Sequence, residues 1–175
     1  MNTFEKMLAV KEACMNGDVN LLNSLTDDSL IIEVINCINL EEENKTILHS
    51  AAENNYPVEC CNILIKCGGN IECKDINGRS PLLIACEKGH EKLVKLLLSY
   101  SANIEAVCND NWSPLRISCA RGHMHIVDIL IQYGANVEAV DNWERTALIL
   151  SSQEGHVRYF SLSFPLSLSF SFSLS

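Results

Sequence analysis

Positive charge is scarce in this chain. Thirteen Lys and Arg stand against 22 Asp and Glu in 175 residues, a formal net charge of −9, and the basic residues form no cluster. Grouped Lys and Arg are what holds a phosphate backbone, so nucleic acid is not expected as a direct partner. Long apolar runs are missing too. No stretch reaches the roughly 18 apolar residues of a membrane-crossing helix, and no membrane insertion is expected. Glu5, Lys6, Lys11 and Glu12 interrupt the first turns, where a secretory signal would need an unbroken apolar core. There is no Gly-rich phosphate loop. No Ser or Cys stands with a base and an orienting carboxylate in the pattern of a nucleophilic centre. An enzyme is therefore not expected, and neither is a cofactor.

Cysteine is the exception to this thin inventory, with nine residues, an odd number, none in a Cys-x-x-Cys spacing. Cys60-Cys61, Cys67 and Cys73 fall near His49 in sequence, which raises a zinc site as one reading. The stronger reading makes Cys60, Cys61, Cys86 and Cys119 small buried hydrophobes on packed helices, so no metal site is assigned. Unpaired thiols then point to a reducing compartment, cytoplasmic or nuclear.

The chain is rich in apolar residues, at 47%, with 20% charged, enough to build a core and too hydrophobic for global disorder. That material is periodic. Ser80-Pro81-Leu82-Leu83-Ile84-Ala85-Cys86-Glu87-Lys88-Gly89-His90 returns 33 residues later from Ser113 to His123, and 33 later again from Thr146 to His156. A weaker copy begins at Thr46, 34 residues before Ser80. A fixed step of this size signals stacked repeats.

Each unit can be assembled from its parts. Ser80 is suited to cap a helix N-terminus, Pro81 fits the first helical position because it lacks an N–H that would go unpaired there, and Gly89 can adopt the left-handed closing conformation. A second helix follows, with Leu93, Val94, Leu96, Leu97 and Leu98 around most of its circumference, and Ser101-Ala102-Asn103 ends it. The next unit repeats this with Ile126, Val127, Ile129, Leu130 and Ile131, closed by Gly134-Ala135-Asn136. Neither helix pair can hide its apolar surface alone.

The Ser/Thr-Pro-Leu opening, the Gly-His midpoint and the 33-residue period resemble the ankyrin repeat. The resemblance covers residues 41–160 well and the first 40 weakly. It implies an all-α solenoid of helix–turn–helix units joined by short β-hairpin-like turns, with units starting near Glu41, Asp75, Cys108 and Asp141, the last incomplete. Residues 1–40 read as a degenerate helical capping repeat, or as an unrelated helical cap, with apolar segments at Phe4, Leu8, Val10 and Cys14, then Val19, Leu21, Leu22 and Leu25, then Leu30, Ile31, Ile32, Val34, Ile35 and Ile38. Departures from the family pattern are visible. His follows Thr-x-Leu only at His49, while Leu83, Arg116 and Ile149 replace it. The turn glycine survives as Gly78 but gives way to Asn111 and Glu144, so the hairpin before Thr146 is expected to be distorted, because Glu enters φ > 0 reluctantly. The first full repeat carries one extra residue near Asn54-Asn55-Tyr56.

The same resemblance implies the function: a non-catalytic protein–protein interaction module, a monomeric array gripping another protein on its concave face. That face would present Ile76, Asn77, Arg79, Glu87 and Lys88 from one unit and Asn109, Asp110, Trp112, Ala120 and Arg121 from the next. The last unit would add Asn142, Trp143, Arg145, Gln153 and Glu154. Trp112 and Trp143 are the natural anchors, although packing against the neighbouring hairpin is an equal use for such rings. The alternative is the regulatory or substrate-docking part of a larger enzyme or channel. His90, His123 and His156 recur with the unit and read as capping and packing residues.

Residues 161–175 break the pattern in mid-helix. They contain only Ser, Leu, Phe and Pro, with Ser at every second position after Leu166. All four amino acids have codons made wholly of pyrimidines, so a translated intron edge, an untranslated stretch or a truncated gene model is one reading. A low-complexity, aggregation-prone tail is the other.

Overall fold

The computed structural model describes residues 3–26, 31–37, 43–140 and 144–153. Ten helices lie among the described residues: α1 Thr3–Asn16, α2 Val19–Thr26, α3 Ile31–Asn36, α4 Ile47–Asn54, α5 Val58–Lys66, α6 Pro81–Lys88, α7 Glu91–Ser99, α8 Pro114–Arg121, α9 Met124–Gln132 and α10 Ala147–Gln153. No strand forms among these residues, and an isolated antiparallel bridge joins Val140 to Thr146.

The local signals act as the chemistry requires. Ser80 and Ser113 accept hydrogen bonds from the backbone N–H of Leu83 and Arg116, and Pro81 and Pro114 occupy the first turn. Gly89 and Gly122 close α6 and α8 at φ +82° and +72°. At α4 the cap is built differently: the Thr46 N–H donates to His49 Nδ1 at 3.1 Å. That leaves the His49 proton on Nε2, which donates to the Arg79 carbonyl of the next unit at 3.1 Å. Burial lowers the His49 pKa below its usual value, against smaller opposing effects of the Arg79 carbonyl and Asp75. The extra residue of the first repeat is present: residues 55–57 separate α4 from α5, whereas only Gly89 and His90 separate α6 from α7.

Helices stack in two rows. α4, α6, α8 and α10 pack successively on one another, and α5, α7 and α9 form the second row behind them. α1 continues the first row against α4, α2 the second against α5, and α3 lies on α1 and α4. Small residues make the close approach possible: Ala51, Ala85, Ser118 and Ser151 occupy equivalent positions and are fully buried. The buried Ser118 hydroxyl is satisfied by donating to the Pro114 carbonyl at 2.8 Å. In the second row Leu64, Leu97 and Leu130 are fully buried at a 33-residue spacing. The core is therefore one continuous apolar seam running the length of the array, as a stacked solenoid demands.

The first helices bury part of the apolar set expected of them: Val10, Cys14, Leu22, Ile31, Val34 and Ile35 are inside. In α1 the buried set is Met7, Val10, Ala13 and Cys14, while Phe4 and Leu8 are exposed; Leu21 and Ile32 are exposed as well. Part of the apolar surface of these helices is therefore not covered by the seam among the described residues. Leu30 and Ile38 lie outside the described residues.

Two ladders lock the units in step. At the hairpin tips Ile76 N–H donates to the Glu43 carbonyl and Asn109 N–H to the Asn77 carbonyl, both at 3.0 Å. On the loops after the second-row helices, Asn103 N–H donates to Glu72 Oε1 at 2.7 Å and Asn136 N–H to Glu105 Oε1 at 2.8 Å. Glu144 takes φ +58°, close to the +60° of Asn111, and the Val140–Thr146 bridge is retained. Residues 141–143 of that hairpin lie outside the described residues, and beside them Glu144 itself takes the left-handed conformation that Glu enters reluctantly.

Candidate functional site

The hairpin after α5 is held by a buried carboxylate. Asp75 accepts hydrogen bonds from the Asn77 and Arg79 backbone N–H groups at 2.9 and 2.8 Å and from Arg79 Nε at 2.9 Å. These bonds offset the cost of taking the group out of water. Arg79, fixed in this way, leans over α6 and pairs with Glu87 at 3.2 Å. Glu87 uses its other oxygen for Arg121 of the following unit at 2.7 Å. Burial works against the Arg79 charge, but the bonds to Asp75 and Glu87 outweigh it and raise its pKa.

The same span recurs along the array. The residue before each helix cap reaches the residue eight positions on: Lys45 to Glu53 at 2.8 Å, Arg79 to Glu87 at 3.2 Å, and Arg145 to Gln153 at 3.4 Å. In the third unit these positions are Trp112 and Ala120, and no polar bridge is possible. An open groove of about 410 Å³ lies there. Asn77, Arg79, Glu87, Asp110, Trp112, Ala120 and Arg121, all anticipated from the sequence, line it, together with Cys108 and Ile117.

The remaining anticipated residues fall elsewhere. Ile76 and Asn109 stand at the exposed hairpin tips, where the Asn109 side chain donates to the Ile76 carbonyl at 3.0 Å. Lys88 is exposed at the end of α6, outside the groove lining. Arg145 and Gln153 meet one another further along the row. Asn142, Trp143 and Glu154 lie outside the described residues, as do His156 and the segment 161–175.

Sequence reasoning missed two features of the groove. Ile117 lies one turn before Ala120 on α8 and forms its apolar base, and that spacing was available to be read. Arg116, in the place of the absent His, is buried and turns back on its own hairpin: Nη1 donates to the Asn111 carbonyl at 2.7 Å, and the guanidinium sits 5.2 Å from the centre of the Trp112 ring. Within about 6 Å such a stack is attractive, so Trp112 is backed by a fixed cation. Ring packing and groove lining are both present at this residue.

His49 and His123 bridge neighbouring units. His123 Nε2 lies 3.1 Å from the Glu87 carbonyl one unit upstream, and burial lowers the His90 pKa. Both nitrogens of His49 are engaged by Thr46 and Arg79, so they are not free for a metal. No group of three or more His, Cys, Asp or Glu gathers as a metal site among the described residues. Cys61, Cys86 and Cys119 are pushed up to about 12, first by burial, so they stay protonated and poorly nucleophilic.

No described helix is long and apolar enough to cross a membrane. A family model for ankyrin repeats (3 copies) matches residues 7–108 and residues 102–162. No curated protein matches the chain.

Proposed function

Because this chain belongs to the ankyrin-repeat family, whose repeats generally mediate protein–protein interaction, we propose that it is a non-catalytic interaction module. Its concave face, formed by the hairpins and the first-row helices, grips a segment of another protein. The observation that carries this reading is the groove between the hairpin at Asp110–Trp112 and helices α6 and α8. Trp112 and Arg121 are residue types that dominate interface energetics, and both are accessible there. Three to four units can supply the roughly 800 Å² per partner of an ordinary interface.

The packing of α1 on α4 and of α2 on α5 supports reading residues 1–40 as a terminal capping repeat. Nine free cysteines, five of them buried, support a reducing compartment. An affinity pull-down comparing the wild-type chain with Trp112→Ala combined with Arg121→Ala tests the assignment. The expected result is loss of the partner from a variant that retains its helical signal. Equal recovery of the partner by both proteins would reject this face.

A further inference from the structure

We propose that the groove over the third unit selects a cationic segment of the partner that carries an apolar anchor: one large aliphatic or aromatic side chain seated between Trp112, Ile117 and Ala120, with a Lys or Arg close by in sequence that meets Asp110. The inference rests on the concave-face reading above and adds the chemistry this face admits.

The anchor site follows from the break in the recurrent bridge. Lys45–Glu53, Arg79–Glu87 and Arg145–Gln153 each span from hairpin to helix and occupy the space between them. Replacing one such pair with Trp and Ala removes the bridging carboxylate and leaves a methyl group in its place. The space that opens has an apolar base at Ile117 and an aromatic wall at Trp112, which Arg116 holds from behind at 5.2 Å. A rigid aromatic wall loses little freedom on contact, which favours it as an anchor pocket.

The charge preference follows from which groups are already neutralised. Arg79 is held by Asp75 at 2.8 Å and Glu87 at 3.2 Å, with Glu43 at 3.8 Å, and Arg121 by Glu87 at 2.7 Å. The two cations of the groove therefore face three carboxylates of the protein itself. Asp110 stands exposed on the rim, with no ion pair among the described residues. An incoming anion would compete with Glu87 for both guanidinium groups. An incoming cation meets an uncompensated carboxylate, in the field of a chain carrying a net charge of −9, which also steers its approach.

A random dodecapeptide phage library selected on the full chain, with Trp112→Arg/Ala120→Glu as counter-selection, tests this. That double variant places the Arg79–Glu87 pairing at the equivalent positions and removes the ring that Arg116 stacks on, so its thermal melt is recorded beside that of wild type. The expected winners place a large apolar residue next to Lys or Arg, and bind Asp110→Lys about tenfold more weakly by fluorescence anisotropy. Asp110 is exposed and its replacement leaves the fold intact, so this arm stands even if the double variant unfolds. Winners that are acidic, or that lack an apolar residue, overturn the inference, as does a selection with no enrichment over the counter-selected background. Winners sensitive to the double variant but indifferent to Asp110→Lys reject the cationic preference and leave the concave-face reading standing. Winners indifferent to every groove change reject both.

Discussion

Gly78 stands against Asn109 of the next unit so closely that a Cβ built on it would lie 2.9 Å from the Asn109 backbone nitrogen, and closer still to its side-chain oxygen. This is where one hairpin tip passes under the next, the contact through which Asn109 bonds to Asn77 and Ile76. Gly78 also has φ +73°, a conformation that costs other residues about 1–2 kcal/mol. Gly78→Ala is therefore expected to destabilise the chain by at least about 1 kcal/mol in urea unfolding. Glu144→Gly, which relieves a non-glycine residue at φ +58°, is expected to leave the midpoint unchanged or raise it. Wild-type stability in Gly78→Ala would mean that the tips do not hold the units in register.

Leu97 and Leu130 are fully buried at equivalent positions of the second row. Truncating either to Ala removes apolar contact and leaves a cavity between neighbouring units, for an expected loss of about 2–5 kcal/mol. A whole domain commands only about 5–15 kcal/mol, so each variant should melt well below wild type. A melting temperature within a degree or two of wild type would count against stacked packing.

His49 ties stability to pH. Its folded pKa lies below the ordinary 6.5, chiefly because it is buried, so the unfolded chain takes up a proton that the folded chain resists. The contribution is fully present above pH 6.5 and is lost as pH falls through the depressed folded value. His90 acts in the same direction. Glu53 follows in a lower window: its hydrogen bond to Lys45 lowers the carboxyl below 4.5, so that contribution is lost only as pH falls from 4.5 through the folded value. Urea midpoints should hold between about pH 8 and 7 and then decline toward about pH 5, with a shallower decline in His49→Asn. A flat profile across that range would remove His49 from the stacking account.

Thiol reactivity should divide the nine cysteines. Cys14, Cys60, Cys61, Cys86 and Cys119 are buried, whereas Cys37, Cys67, Cys73 and Cys108 are partly accessible. Iodoacetamide labelling of the native chain, read by mass spectrometry, is expected to modify the second group first and the first group only on unfolding. Cys108 lines the groove, so its alkylation should also weaken capture of the partner. Rapid labelling of Cys86 and Cys119 in the folded chain would contradict the packing of α6 and α8.

The groove was legible in outline because its lining residues hold fixed places in a unit whose period is written in the sequence. Arg79, Glu87, Asp110, Trp112, Ala120 and Arg121 could be named by counting from Ser80 and Ser113. Their partners could not. The run of bonds from Asp75 through Arg79 and Glu87 to Arg121 crosses two units and depends on their rotation and separation, neither of which a single repeat encodes. Arg116 shows the same limit, since it replaces a histidine in the pattern yet reaches back to Asn111 and Trp112.

Capping residues, glycines and aliphatic spacing determined the helix pairs, their order and their step, because these are local backbone and solvation preferences repeated four times. Tertiary structure alone decided which face of α1 is buried, with Val10 inside and Phe4 in water, and where the groove opens. Burial depends on what stands opposite, and a pocket is the space that two units leave between them when one bridging pair is replaced by Trp112 and Ala120.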